Sequence, residues 1–298
     1  MQAPTRLSDE PLTYDAVRPS SGDRGLLPKP TAREIAEIAM STLSLSLALA
    51  DVPTAPQTVE LPPIEADAWN RHFETRSPQD LLAWAIERWR DRLVLVTSFQ
   101  ATGLVLLHMA WQIDPKVRVA TLDTGRLPQE THGLMETVRR RFNIDIEVLS
   151  PDPNDLQPLV REHGPNLFYE SPELRRACCH VRKVEPLRRA LAGADAWITG
   201  LRRDQAATRS AVDKVAFDGG PELVKLSPLA DWSEVQVESY TLKHNLPRHP
   251  LYAKGYRSIG CAPCTRAVAQ GADPRSGRWW WENNTAKECG LHLRVLPS

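Results

Sequence analysis

The sequence predicts an α/β protein built on a parallel β-sheet. Between about residues 78 and 226, short β-branched runs alternate with amphipathic segments of helix length. This alternation is typical of βαβ units, in which helices cover a parallel sheet. The chain has 298 residues, 42% of them apolar, which is enough to bury a sizeable core. Ligands of such sheets bind beyond the carboxyl ends of the strands, so we searched the loops there for a site.

The predicted elements follow in order without an internal repeat. A helix over Pro78–Arg92 leads into the apolar run Leu-Val-Leu-Val of the first strand. The predicted strands, each a short run rich in β-branched residues and leucine, are Leu93–Thr97, Val117–Leu122, Ile144–Leu149, Ala196–Thr199 and Leu223–Leu226. The amphipathic helices between them are Leu104–Ile113, Pro128–Phe142 and Arg182–Leu191. After about Leu246 the alternation stops.

Three regions differ in composition. Residues 1–63 are rich in proline and contain one plausible helix at about 31–50, so we expect an N-terminal extension that is partly disordered. Residues 64–250 have the composition of a packed domain and carry the predicted sheet. Residues 251–298 form an irregular C-terminal segment with a CxxC pair, three adjacent tryptophans and Cys289.

The charge and hydropathy of the chain exclude several classes of protein. Lysine and arginine number 37, as do aspartate and glutamate, so the overall attraction that nucleic-acid-binding proteins have for phosphate backbones is missing. The longest uncharged apolar stretch, at 38–50, is about 13 residues, short of the ~20 that cross a bilayer. The N-terminus does not resemble a secretory signal. We therefore expect a cytoplasmic protein without nucleic-acid or membrane partners; the sequence leaves a homo-oligomer open.

Polar loops follow three of the predicted strands. The loop after the first strand opens a helix whose N-terminal amides can bind an anion, although an ordinary strand-to-helix turn explains the same residues. The loop after the second strand contains a glycine that permits a tight turn, and polar groups that can contact a ribose. The loop after the fourth is rich in arginine, which makes bidentate bonds to phosphate and sulfate but also occurs on solvated surfaces. The candidate binding residues are Ser98, Asp123, Thr124, Gly125, Arg126 and Arg209.

The five cysteines indicate a metal site or catalytic thiols, because the thiols of cytosolic proteins are kept reduced. Cys178 and Cys179 are adjacent and point in different directions, which suits two metal atoms of a cluster. Cys261 and Cys264 form a CxxC pair that completes a set of four thiolates. Four thiolates hold either a [4Fe–4S] cluster or a single zinc ion, and the spacing alone leaves both open.

Five segments together resemble the adenosine 5'-phosphosulfate reductases, relatives of the phosphoadenosine 5'-phosphosulfate reductases. They are Leu122–Thr131, Cys178–Leu187, Trp197–Arg209, Ile259–Arg266 and Arg278–His292. The resemblance implies an adenine-nucleotide α-hydrolase-like, Rossmann-like sheet with a mobile C-terminal catalytic tail. It also implies a [4Fe–4S] cluster on the four cysteines, because relatives without the cluster lack them. The expected partners are adenosine 5'-phosphosulfate and a thioredoxin or glutaredoxin-like reductant.

The same resemblance assigns roles to single residues. Cys289, in the sequence Lys-Glu-Cys-Gly-Leu-His, is the implied nucleophile, and His292 has an implied supporting role. Lys183 is expected near both cluster and substrate. The residues expected to bind the phosphosulfate group are Arg209, Arg275 and Arg278.

Two other functions remain open from the sequence. One is the same reaction on the 3'-phosphorylated nucleotide, and the other is an iron–sulfur redox sensor that binds a nucleotide without turnover.

Overall fold

The structure is a computed structural model that describes residues 63–218, 223–282, 288, 290 and 291. It confirms the predicted α/β architecture. The strands are β1 Leu93–Val96, β2 Arg118–Leu122, β3 Glu147–Leu149, β4 Ala196–Ile198, β5 Val215–Asp218 and β6 Leu223–Leu226. The α-helices are α1 Pro63–Phe73, α2 Pro78–Trp89, α3 Ala101–Ile113, α4 Gln129–Phe142, α5 Pro153–His163, α6 Pro172–Cys179, α7 Glu185–Leu191 and α8 Glu234–Lys243.

The six strands form one sheet in the order β3-β2-β1-β4-β6-β5. All neighbouring strands are parallel except β5 and β6, which are antiparallel. From β1 the chain first builds outward through β2 and β3, and it then crosses to the other side of β1 to build β4. The loops that follow β1 and β4 therefore diverge, which leaves a crevice at the carboxyl ends of these two strands.

The centre of the core is β1 with helix α3. Leu93, Val94 and Leu95 are at most 1% exposed, as expected for a parallel strand covered on both faces. Helix α3 is apolar around most of its circumference, and its residues 102–110 are all buried. A helix of this kind belongs inside a protein rather than on its surface. It holds the loop that precedes it firmly against the end of β1.

Helices α6 and α7 belong to one helical stretch interrupted by a π-turn at His180–Val184. The π-turn widens the helix by one residue within a turn, a feature frequent at functional sites. As a result Cys178, Cys179, Arg182 and Lys183 are all buried, although two of them are cationic.

Helix α1 lies along the outer edge of the sheet beside β5. The side-chain oxygen of Asn70 accepts a hydrogen bond from the backbone N–H of Val215 at 3.1 Å, and its nitrogen donates to Asp213 at 3.1 Å. Lys214, 1% exposed, donates to the carbonyl oxygens of Glu74 and Arg76, both at 3.0 Å. These bonds join the segment after α1 to the edge strand.

The structure differs from the sequence predictions at several elements. The predicted strand Ile144–Leu149 is paired only from Glu147, because the amide of Ile144 still bonds to Arg139 at the end of α4. The predicted helix Arg182–Leu191 continues a helical stretch that begins ten residues earlier, at Pro172. Helices α1, α5 and α8 and strand β5 were not predicted.

Several predictions lie outside the described residues. These are the helix at 31–50 and nearly all of the proposed N-terminal extension, so the division into three regions stays a prediction. Within the described part of the chain, no helix combines the length and the apolar character needed to cross a bilayer.

Candidate active site

A cleft of about 710 Å³ opens at the crevice between the ends of β1 and β4. The loops after these strands line it, together with Tyr252, Arg209, Arg275 and Leu291. Its volume is within the range of small-molecule sites, and its position is the expected one for a ligand of an open parallel sheet.

Two glycines let the walls of this cleft approach each other closely. A Cβ on Gly103, in the first turn of α3, would lie 2.4 Å from the Thr97 hydroxyl oxygen. A Cβ on Gly200, after β4, would lie 3.4 Å from the backbone nitrogen of Gly103. The start of α3 therefore packs directly against the loop after β4. Ser98, predicted to bind substrate, lines the cleft, where its Oγ accepts a hydrogen bond from Gln100 at 3.1 Å.

The predicted anion-binding residues Arg209 and Arg275 both lie in the cleft and both contact the carboxylate of Glu288. Arg209 donates from Nε and Nη2 to the two carboxylate oxygens at 3.0 and 2.9 Å, and Arg275 lies 3.1 Å from one of them. Burial favours the neutral acid, but the two guanidinium groups outweigh it and lower the pKa of Glu288. The pair is thus built to hold an anionic group.

The predicted loop after β2 does not line this cleft. Asp123 accepts hydrogen bonds from the amide of Gly125 at 2.9 Å and pairs with His132 at 3.0 Å. Gly125 has φ +67°, which explains the glycine at this turn. Arg126 instead lines a second cavity. The hydroxyl oxygen of Thr124 lies 3.3 Å from the sulfur of Cys261, which lines the same cavity.

The second cavity is lined by all four predicted metal ligands. Cys178 and Cys179 come from the end of α6, and Cys261 and Cys264 flank a short 3₁₀ turn. Each is 6–7% exposed, and they pack together with Phe168 and Trp279. None of the four is joined in a disulfide in the described part of the chain. Among the described residues, no three histidine, cysteine or carboxylate side chains are arranged to hold a metal ion.

Cationic side chains surround the four cysteines. The cavity lining includes Arg126, Arg175, Arg182 and Lys183. Arg182 donates from Nη1 to the carbonyl oxygen of Thr124 at 2.6 Å, while its buried Nε has no hydrogen-bond partner in the described part of the chain. Four thiolates around a [4Fe–4S] cluster carry a net negative charge, which these cations would balance, and a cluster sulfur would accept from Arg182 Nε. The residues present therefore fit such a cluster.

The thiols of the cavity have unequal acidity. Burial raises the pKa of Cys178. Burial and the neighbouring Cys261 and Cys179 raise the pKa of Cys264 to about 12. Burial acts the same way on Cys261, but the Lys183 ammonium and the Thr124 hydroxyl outweigh it and lower the pKa of that thiol.

The C-terminal segment folds back on the CxxC turn. Arg278, predicted to bind substrate, donates from Nε to the carbonyl oxygen of Cys264 at 3.3 Å and lies by the cysteine cavity. Its guanidinium carbon and that of Arg175 each lie 4.5 Å from the ring centroid of Trp279, an attractive cation–π geometry. Trp279 belongs to the cluster of the four cysteines, and Trp281 packs against that cluster.

The structure thus separates the predicted site residues into two groups. Ser98, Arg209 and Arg275 line the cleft, whereas Lys183 and Arg278 lie with the four cysteines. Cys289 and His292 lie outside the described residues, so their roles stay predictions.

The sequence analysis did not identify three residues that line or support these two sites, Tyr252, Arg175 and Glu282. Tyr252 accepts a bond from the amide of Ala101 at 3.1 Å, and Arg175 forms a buried ion pair with Glu282 at 2.6 Å. No sequence pattern marks these contacts, which join segments far apart in the chain.

Fold and site together define an α/β protein with a small-molecule cleft beside a thiol-lined cavity. The family model described as the phosphoadenosine phosphosulfate reductase domain matches residues 92–267. The chain belongs to the phosphoadenosine phosphosulfate reductase family.

Curated relatives and a solved structure extend this likeness. Adenosine 5'-phosphosulfate reductase of Burkholderia cepacia is 45% identical over 72% of this chain and 86% of the relative. The enzymes of that name from Allochromatium vinosum and Agrobacterium fabrum are 48% and 49% identical, each over 68% of this chain, and over 80% and 78% of the relatives. The crystal structure of phosphoadenylyl-sulfate reductase from Candida auris, a phosphate complex, matches with a TM-score of 0.61 at 27% identity, covering 71% of this chain and 100% of that one. The adenine-nucleotide α-hydrolase-like fold expected from the sequence is confirmed.

Proposed function

We propose that this chain is an adenosine 5'-phosphosulfate reductase of sulfate assimilation, which converts the nucleotide to sulfite and AMP. The observation that carries the proposal is the 45–49% identity to the three reductases of that name, over 78–86% of their lengths. The cleft with its arginine pair and the neighbouring four-cysteine cavity supply the matching chemistry.

The proposed reaction begins at Cys289. Its thiolate attacks the sulfate sulfur, the bond from that sulfur to the bridging oxygen breaks, and AMP leaves with the electron pair. The enzyme then carries an S-sulfocysteine. Negative charge accumulates on the bridging oxygen as AMP departs, and Arg209 and Arg275 are placed in the cleft to stabilise it.

A second reaction, with the dithiol of a reductant protein, completes the cycle. One thiolate of a thioredoxin or glutaredoxin-like dithiol attacks Sγ of Cys289 in the S-sulfocysteine, the bond from Sγ to the sulfonate sulfur breaks, and sulfite leaves with the electron pair. The second thiol of the reductant then resolves the mixed disulfide and restores the Cys289 thiol. The dithiol supplies both electrons, so the proposed location is the cytoplasm, where such reductants are kept reduced.

The proposed cofactor is a [4Fe–4S] cluster held by Cys178, Cys179, Cys261 and Cys264. When bound, it would supply a fixed local charge that shapes the field felt by the substrate. Lys183 lines the same cavity, where its ammonium helps to lower the pKa of Cys261.

The cofactor assignment predicts the metal content. Protein purified without oxygen should be brown and contain about four iron and four sulfide per chain. Cys264→Ser should lose the brown absorbance, because a ligand is removed. Metal analysis that finds one zinc per chain and no sulfide would instead support the zinc alternative.

The 3'-phosphorylated nucleotide is the second candidate substrate, because the Candida auris structure of the same fold is a phosphoadenylyl-sulfate reductase. A 3'-phosphate would need cations in addition to Arg209 and Arg275, which are assigned to the phosphosulfate group. Two arginines at the rim of the cleft, Arg248 and Arg257, are each paired with a carboxylate, of Glu238 and Glu234. We therefore expect a higher kcat/KM for the unphosphorylated nucleotide, and equal values for the two would contradict this preference.

The function is tested through the covalent intermediate. Enzyme mixed with adenosine 5'-phosphosulfate and no reductant should gain about 80 Da on the peptide containing Cys289 and release about one AMP per chain. Cys289→Ser should keep the cluster and bind AMP, yet form neither adduct nor sulfite. An adduct on another residue, or sulfite release by the variant at the wild-type rate, would refute the assignment.

A further inference from the structure

Glu288 is held at the cleft by more contacts than a surface ion pair has. Its side chain is 10% exposed. Arg209 binds both carboxylate oxygens, Arg275 contacts one of them, and Thr208 donates to the other at 3.2 Å. These four contacts match the four lone-pair directions of a carboxylate. A bidentate arginine with two further contacts fixes the position of the carboxylate as well as its charge.

The backbone around Glu288 is also attached to the protein. Arg175 donates from Nη1 to the carbonyl oxygen of Glu288 at 3.1 Å, and Arg175 is itself fixed by its buried ion pair with Glu282. Leu291 packs on a buried apolar cluster that includes Leu187 and Trp197, and it lines the cleft. The chain is therefore anchored on both sides of position 289.

The same arginines that hold Glu288 are the ones placed to bind the substrate anion. Bonds to Glu288 and to Gln205 use three of the five N–H donors of Arg209. The guanidinium can thus hold Glu288 and also donate to a phosphate or sulfate oxygen. One arginine pair then fixes the tail and the anion relative to each other.

We propose that Glu288 is a positioning residue for the Cys289 nucleophile: the Arg209–Glu288–Arg275 bridge sets the distance between the thiolate and the anion held by the same arginines. The role rests on the proposed function, because it assigns the nucleophile to the neighbouring position. Glu288 acts through the chain and the two arginines, without contact to the reacting atoms. The lowered pKa of Glu288 agrees with a carboxylate that stays ionised in this bridge.

The test separates position from charge. Glu288→Asp keeps the charge but shortens the side chain by one methylene, and Glu288→Gln keeps the length but removes the charge. The matched control is Glu130→Asp, because Glu130 pairs with Lys254 and lies outside the cleft lining. Full-length cluster-loaded enzyme is mixed with saturating adenosine 5'-phosphosulfate without reductant, and the rate of adduct formation on Cys289 is measured by mass spectrometry.

We expect both Glu288 variants to slow adduct formation at least ~10-fold, with the Kd for AMP changed less than about threefold, because a small misplacement of a nucleophile is costly. Glu130→Asp should match the wild type. A wild-type rate in Glu288→Asp would overturn the proposal and leave a role for charge alone. If the Glu288 variants fold poorly, Thr208→Val offers a second test, because it removes one exposed donor to the Glu288 carboxylate. This variant should slow adduct formation about two- to fivefold. An unchanged rate would contradict the bridge.

A second readout is independent of the reaction. Without nucleotide, iodoacetamide should label Cys289 several times faster in Glu288→Asp than in the wild type, because the anchor is lost; equal rates overturn the proposal. If the wild type forms no adduct while labelling still differs, the proposed function fails, and only the anchoring of the segment by Glu288 stands.

Discussion

At the scale of single residues, the surroundings of a helical glycine decide what its replacement by alanine does to stability. Gly103 and Gly133 are both helical glycines, in α3 and α4, and they differ in their surroundings. A Cβ on Gly103 would meet the Thr97 hydroxyl at 2.4 Å, whereas a Cβ on Gly133 would meet nothing within 4 Å. The sequence alone does not show which of the two glycines is crowded, and the difference appears only in the folded structure.

This difference gives a paired prediction. Gly103→Ala should lower the free energy of unfolding by about 1–3 kcal/mol, because the methyl group overpacks a buried position. Gly133→Ala should raise it by about 0.5–1 kcal/mol, because alanine is the better helix former. Urea denaturation of both variants measures the two effects. A neutral Gly103→Ala would show that the start of α3 can move away from β1.

The site residues that could be predicted are those that lie in short sequence motifs. The four cysteines, Arg209 and Arg275 occur in such motifs, and the structure brings the cysteines to one cavity and the arginines to one cleft. The Arg175–Glu282 pair joins residues 107 apart in sequence, and no local pattern encodes a contact of that range.

At the scale of elements, burial separates most of the predicted elements from those that were missed, although β3 was predicted and is largely exposed. Strands β1, β2, β4 and β6 are buried for most of their length and were predicted. Strand β5 lies at the sheet edge with only Val215 fully buried, and α5 has no fully buried residue and contains Pro158. Elements that bury little apolar surface show only a weak hydrophobic periodicity in the sequence, so they are not predicted from it.

The connection after α1 depends on one buried lysine. Lys214 and Lys254 each lie 2.9 Å from a carboxylate, but their side chains are 1% and 62% exposed. Lys214→Met should destabilise the protein by about 2–4 kcal/mol, because two partly buried carbonyl oxygens and Asp231 lose their donor. Lys254→Met should change stability by less than about 1 kcal/mol. Thermal denaturation compares them, and similar losses for both lysines would contradict the role of burial.

At the scale of the whole molecule, two buried histidines make stability depend on pH. Burial lowers the pKa of both His108 and His249. Nδ1 of His249 accepts from the amide of Leu251 at 3.2 Å, and Nε2 lies 3.0 Å from the Thr131 hydroxyl. Between the lowered pKa and about 6.5, the unfolded chain binds more protons than the folded protein. Stability is therefore expected to decrease as the pH falls below about 6.5.

A variant at His249 isolates its share of this dependence. His249→Asn keeps an acceptor for the Leu251 amide but does not titrate. Its urea midpoint should fall less than that of the wild type between pH 7.5 and 5.5. Equal pH dependence in the two proteins would show that protonation of His249 is not coupled to unfolding.

The two edges of the sheet restrict how copies of this chain can associate. The Asn70 side chain occupies the outward N–H of Val215 on β5, and at the other edge β3 has only three residues, one of them ion-paired to Arg118. An open edge strand invites strand addition from a second molecule, which leads to aggregation or domain swapping. In this sheet few backbone N–H and C=O groups at the edges could pair with a strand of a second molecule, and the N–H of Val215 already has a partner. A homo-oligomer of this chain would therefore join through helices and loops, and each copy would keep its own six-stranded sheet.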